Sequence, residues 1–280
     1  MKKLLLASAV ASALAAPTAV LAQAKSPHTV TGNVGFVSDY RFRGLSQTYE
    51  DPAIQGGFDY SHASGLYLGT WASNVSGNQY PNGAGLEWDF YGGYKFNAGP
   101  LGLDVGALYY WYPGAYYNGF LPSKPKFNNT EVYVGASWNW LTLKYSHTVS
   151  DFFGVKGQTV GGGCGITSSA TPIVCADPLS TTAGSKGSGY LDLSATYPVR
   201  EGFNVVAHVG HQKVRNFSKL DYTDWKLGVT YDALGFTWGL AYIDTNAKEE
   251  FYRVVPVSGN PGETRDISKG TVVLSVQKTF

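Results

Sequence analysis

The residues that could do chemistry in this chain fall into few recognisable sets. Tyr145-Ser146-His147-Thr148-Val149-Ser150-Asp151 brings together a hydroxyl, an imidazole and a carboxylate, the groups of nucleophilic acyl transfer. Some bacterial outer-membrane barrels are lipases built on a serine–histidine pair. Here the spacing is wrong for one. On an extended strand His147 shares a face with Val149 and Asp151, while Ser146 and Ser150 point the other way. A nucleophile must reach its base within hydrogen-bond distance, so no catalytic residue is assigned and the chain is not read as an enzyme. The five histidines are scattered without metal-ligand spacing, and no cofactor is expected. Neither Gly161-Gly162-Gly163 nor Gly56-Gly57 is followed by the Lys-Ser/Thr of a phosphate loop.

A second set is larger and more regular. Asp39, Arg41, Arg43, Asp59, Glu87, Asp89, Glu131 and Lys144, joined by Lys95, Asp104, Asp192, Asp224 and Lys226, fall on the polar face of segments in which polar and apolar residues alternate. Charges repeated this way belong on the inner face of a sheet whose other face is apolar. Eight are acidic and five basic, with His208 beside them. If all lined open water, the excess of carboxylates would modestly favour cations. Within a narrow lumen they would instead pair and brace the wall, because isolated buried charges are costly. Bracing is the favoured reading for Asp39, Arg41 and Arg43, with Asp59, Glu87 and Glu131 as partners. Tyr67, Tyr91, Tyr110, Tyr112, Tyr133 and Tyr190 share that face. They are expected to fill the lumen more than to stack on a solute.

The elements that must carry these residues are twelve alternating segments: 33–43, 54–61, 66–73, 86–96, 101–112, 131–140, 141–148, 190–197, 203–212, 224–231, 236–242 and 270–280. The first sets Val34, Phe36, Tyr40 and Phe42 against Asn33, Asp39, Arg41 and Arg43. Connections alternate between short turns and longer loops, the longest being 113–128, 151–187 and 246–269. An even strand count, short turns on one rim and long loops on the other describe a bacterial outer-membrane barrel with its short rim toward the periplasm. Tyr40, Phe42, Trp88, Phe96, Trp111, Trp138, Trp140, Tyr197, Phe203, Tyr231, Phe236, Tyr242 and Phe280 lie near the ends of the apolar stripes, where two interfacial girdles belong. A soluble sandwich or lipocalin-like barrel competes. It would not need so much apolar surface.

Composition agrees. Glycine numbers 35 of 280 residues and tyrosine 20, aromatics are 15% and charged residues only 15%. The chain opens with Lys2 and Lys3, an apolar run 4–16 and small residues before Ala22 and Ala24, the three parts of a secretory signal. Residues 1–22 are therefore expected to be removed, or cleavage falls after Ala24, leaving 23–280 as one barrel domain. The apolar run is too short for a spanning helix, which needs roughly 20 residues. Without Lys2 and Lys3 the 21 basic residues fall to 19 against 20 acidic, which disfavours nucleic acid as a partner. Cys164 and Cys175 are the only cysteines. In an exported chain they read as a disulfide closing a loop, worth roughly 2–3 kcal/mol. The alternating last strand ends on Phe280 and resembles the assembly signal read by the barrel assembly machinery.

The segment Ser38-Asp39-Tyr40-Arg41-Phe42-Arg43-Gly44-Leu45-Ser46-Gln47-Thr48, followed by Pro52-Ala53-Ile54-Gln55-Gly56-Gly57-Phe58-Asp59-Tyr60, resembles the opening of the TorF porin family, also catalogued as Gcw_chp. Glu87-x-Asp89-x-Tyr91-x-Gly93, Tyr110-x-Tyr112-Pro113, Glu131-Val132-Tyr133, Tyr145-Ser146 and Gly189-Tyr190-Leu191-Asp192 extend the resemblance over the mature chain. It implies an outer-membrane barrel and names no solute. The expected function is passive diffusion of small polar solutes across an outer membrane, with lipid and lipopolysaccharide around the barrel. A non-conducting structural or adhesive barrel is the alternative, an outer-membrane enzyme a weaker one. The sequence leaves oligomeric state open.

Overall fold

Alternation of side chains produces strands here, and their number and closure come from the backbone. A computed structural model describes residues 26–280 apart from 83–84, 118–123, 158, 160–182, 255 and 257–260. Strand β1 (His28–Val37) is followed by two very short strands, β2 (Arg41–Phe42) and β3 (Leu45–Ser46). Then come β4 (Ala53–His62), β5 (Leu66–Asn74), β6 (Leu86–Ala98), β7 (Leu101–Trp111), β8 (Asn129–Trp138), β9 (Leu141–Thr148) and β10 (Gly189–Arg200). Strands β11 (Phe203–Lys213), β12 (Tyr222–Ala233) and β13 (Phe236–Thr245) follow. A small pair, β14 (Arg253–Val254) and β15 (Arg265–Asp266), precedes β16 (Thr271–Thr279). The long strands close into one antiparallel barrel of twelve, in which β1 pairs with β4 on one side and β16 on the other.

The closure continues to the last residue. Gly32 N–H donates to the Phe280 carbonyl at 2.7 Å, and Phe280 N–H donates back to the Gly32 carbonyl at 2.9 Å. The seam is thus paired from Gly32–Phe280 through Val37–Ser275, and a sheet that sits in hydrocarbon must be closed in this way. The outer face fits that solvent: Val30, Ile54, Leu227, Leu274 and many other large apolar side chains are exposed. Aromatics gather at both ends of this face. Trp88 stacks on Phe90 at 5.3 Å and on Trp111 at 5.8 Å near the long-loop rim, and Trp140 meets Tyr197 edge-on at 5.7 Å at the short-turn rim.

The inner face explains why glycine and tyrosine are so abundant together. Inward tyrosines lie flat over glycines of the neighbouring strand. A Cβ on Gly69 would stand 2.3 Å from the Tyr91 ring, and one on Gly106 would stand 2.5 Å from the Tyr133 hydroxyl. Each ring fills the space its glycine vacates, a large-over-small fit that keeps interior packing dense.

The first strand corrects the sequence reading. It ends at Val37, not at position 43, and the chain then leaves the wall. Phe42 pairs with Leu45, so Arg43-Gly44 is a two-residue turn, with φ of 48° and 81°. Two consecutive positive φ values are the signature of the type I′ hairpin. Tyr40 and Phe42 therefore do not belong to the lipid-facing girdle. Tyr40 is buried, and Phe42 packs edge-on against Tyr110 at 5.5 Å and Phe153 at 5.6 Å. Period two runs unbroken through a hairpin this short, so alternation could not reveal the reversal. The proposed signal peptide and the Cys164–Cys175 pair lie outside the described residues.

Gly106→Val would force its side chain against both Tyr133 and the Gly92 carbonyl, 2.6 Å from the new Cβ. Overpacking of this kind costs roughly 1–3 kcal/mol. The variant should refold to a lower heat-modifiable fraction on electrophoresis. Gly85→Val, with nothing within 4 Å of the new atom, should match wild type.

Candidate solute channel

The hairpin β2–β3 is the centre of the site. Its tip residue, Arg43, reaches across the barrel interior to β8. Nη2 donates to both Glu131 oxygens, at 2.9 and 2.7 Å, and Nη1 donates to Gln212 Oε1 on β11 at 2.7 Å. Both charged side chains are almost fully buried, at 7% and 2% exposure. The guanidinium also lies over the Tyr190 ring at 4.2 Å. Gly44 allows the tip to come this close: a Cβ there would stand 2.4 Å from Thr245 and 2.7 Å from Asp224.

Arg41 is held differently. Its Nε donates to Asp39 at 2.6 Å, and Nη1 donates to the carbonyls of Gly44, Ile267 and Lys269. Asp39 also accepts from Ser46 Oγ at 2.6 Å, which ties the two ends of the hairpin. Tyr40 donates to Glu87 Oε1 at 2.8 Å, and Tyr112 donates to Glu87 Oε2 at 2.8 Å. Burial, reinforced by the Glu87 carboxylate, holds the Tyr40 and Tyr112 phenols well above their ordinary pKa, so both remain donors. The bracing partners thus separate. Glu131 takes Arg43 and Glu87 takes two tyrosines. Asp59 accepts from Tyr91 at 2.6 Å and meets no arginine of the hairpin. Asp89, one alternation from Glu87, is buried and its carboxylate oxygens have no hydrogen-bond partner.

The hairpin leans to one side. Tyr40 and Phe42 join Trp71, Tyr80, Leu108, Tyr110, Tyr112 and Tyr133 in an apolar cluster against the β5–β8 wall. The opposite wall is left open. A cavity of about 150 Å³ runs beside the hairpin, lined by Arg41, Arg43, Lys144, Tyr190, His208 and Lys226 among others. It adjoins a larger one, of about 330 Å³, that extends under the hairpin toward the short-turn rim, past Lys95, Asp104, Ser137, Thr142 and Thr230. Tyr40, Arg41, Lys144, Asp192, Ser194 and Lys226 line both.

Counting charges along strands does not show which of them are already partnered. Asp39, Glu87, Asp89, Glu131 and Asp224 are all buried, most of them around the hairpin. His208 takes up two further acids of the wall, with Nδ1 2.9 Å from Asp192 and Nε2 2.8 Å from Asp224. Alternation placed Lys144 on the inner face, and it lines both cavities. Sequence reasoning missed Tyr40 as an inward residue, Gln212 as a partner of Arg43, and Phe153. The Arg-Gly dipeptide was the available signal for the turn. Phe153 sits in a single 3-10 turn, Phe152–Gly154, outside the alternating segments, and had none. Ser146 is buried inside and alternates with His147, so the two do not meet.

The profile described as "Bacterial protein of unknown function (Gcw_chp)" matches residues 21–280. The chain belongs to the Gcw_chp family. That description carries no porin name, so the TorF label gains no support from it. No curated protein matches the chain. Among solved structures, the "KdgM porin" superposes at a TM-score of 0.50 with 8% identity, over 89% of this chain and 99% of that one. The NanC porin follows at 0.47 with 9% identity, over 90% and 98%. The COG4313 outer membrane channel from Pseudomonas putida F1 gives 0.44 with 13% identity, over 92% and 97%. At these identities the KdgM likeness shows the fold: a Gcw_chp chain forms the closed barrel also seen in a porin.

Arg43→Ala would strip the buried Glu131 carboxylate of its cation, a change that costs about 3–5 kcal/mol in buried pairs. The hairpin should loosen. In a Cys164→Ser, Cys175→Ser background, a Leu45→Cys thiol should react several-fold faster with a water-soluble maleimide when Arg43→Ala is added. An unchanged rate would mean that the arginine does not hold the hairpin.

Proposed function

We propose that this barrel is an outer-membrane channel for passive diffusion of small polar solutes, and that the β2–β3 hairpin forms its constriction. The observation that carries the reading is the pair of adjoining cavities, each with charged and hydroxyl side chains among its lining, inside a closed twelve-stranded wall and narrowed where the hairpin enters. An eight-stranded barrel is just filled by its own side chains, and twelve strands leave more room. Here an inward loop takes up part of that room, so the free path is set by the loop and not by the strand count. The apolar outer face and the paired closing strands supply the membrane fit, with the long-loop rim facing outward and the short-turn rim facing the periplasm.

A structural barrel without conductance is the second reading. The aromatic cluster between the hairpin and the β5–β8 wall favours it, because that half of the interior is packed like a core. Planar-bilayer recording separates the two. Purified folded protein should show small, discrete conductance steps, and replacing residues 41–46 with two glycines should enlarge them. Silent wild-type and silent hairpin-less protein, both folded by heat-modifiability, would reject the channel and leave the structural role.

A further inference from the structure

Where the two cavities adjoin, the charged lining is Arg41, Lys144 and Lys226 against Asp192, although the inner face as a whole is acidic. Asp39 and Glu131 pair with the two hairpin arginines, Glu87 accepts hydrogen bonds from two tyrosines, and Asp192 and Asp224 share the one His208. Asp104 accepts from Tyr67 at 2.6 Å and stands opposite Lys95 in the β6–β7 register. Lys144 and Lys226 form no ion pair among the described residues, and both line the two cavities where they adjoin. Lys144 is held with its ammonium 3.9 Å above the Tyr133 ring, which places it without neutralising it. Arg41 lines the same junction, its side chain only 2% exposed, and its Nη2 is buried with no hydrogen-bond partner. Asp192 and Ser194 line both cavities too, with Ser194 Oγ donating to Asp192 at 2.8 Å, and Thr142 lines the larger one. Arg41, Lys144 and Lys226 converge there against one carboxylate, Asp192, which His208 and Ser194 already engage, and a surplus of cations with an unpartnered guanidinium nitrogen is the chemistry that holds a carboxylate or phosphate group.

We infer that the junction of the two cavities, bounded by Arg41, Lys144 and Lys226, is a binding site for a small organic anion. This rests on the cavity reading above and adds the solute class to the proposed channel. The 330 Å³ of the larger cavity is at the small end of ligand sites, which run from about 300 to 1,000 Å³. A compact hydroxylated acid fits that range, and a long polymer would have to thread through it.

Gluconate and glucose are suitable probes, being alike in size and hydroxyl content and different in charge. Calorimetric titration of the folded barrel in detergent should detect gluconate and not glucose. Lys144→Gln with Lys226→Gln should weaken gluconate binding at least tenfold, while Lys144→Arg with Lys226→Arg should keep it. In bilayers under a KCl gradient the wild-type reversal potential should take the sign of anion preference, and the double glutamine variant should move it toward zero. Equal binding of glucose, or gluconate affinity unchanged in the glutamine variant, would overturn the site. Gluconate binding by a barrel that passes no current would reject the channel and leave this site standing.

Discussion

The internal architecture depends on one buried ion pair. Arg43 and Glu131 meet between a hairpin tip and the barrel wall, where water cannot screen them. Without its cation the buried Glu131 carboxylate would keep only the longer hydrogen bonds from Asn129 and Tyr110, at 3.2 and 3.3 Å, against its desolvation cost. One guanidinium nitrogen donates to both carboxylate oxygens and the other to Gln212, so the contact fixes direction as well as distance. Everything around it is arranged to let Arg43 arrive. The left-handed turn aims it, the missing side chain of Gly44 brings the tip against Asp224 and Thr245, and Tyr40 anchors the base of the hairpin to Glu87.

From this pair the asymmetry of the lumen follows. An inward loop attached on β8 and β11 must lean on part of the wall. It leans on β5–β8, where aromatic rings are dense, and leaves the β9–β13 side open. The same attachment sorts the charges. Acids near the hairpin become structural, and the lysines beyond it keep facing the cavity. Selectivity in such a barrel is decided by which charges remain after the bracing is satisfied, and not by how many the strands carry.

The barrel was legible in the sequence because membrane strands must alternate, and alternation is a local property. Twelve segments, short turns on one rim and long loops on the other could be read directly, as could the inward placement of Glu87, Glu131 and Lys144. The hairpin was not, because its residues obey the same alternation as the strand before it. Nothing in the periodicity of Tyr40-Arg41-Phe42-Arg43 says that the chain has turned into the lumen. Only Arg43-Gly44, a dipeptide suited to a tight reversal, carried that information. Partner choice was illegible for a further reason. Asp59 and Glu131 are chemically alike and both face inward, and the choice between them as partner of Arg43 rests on where the hairpin tip lands.

The central claim is that the hairpin lies in the path of permeating solutes. It is tested most directly by recording single channels of an Arg41→Cys variant in a background lacking Cys164 and Cys175, before and after adding a bulky, negatively charged thiol reagent. Arg41 lines both cavities, so modification should reduce the current in discrete steps. A thiol confirmed as modified, with a current that does not change, would place the hairpin outside the conduction path and contradict the account.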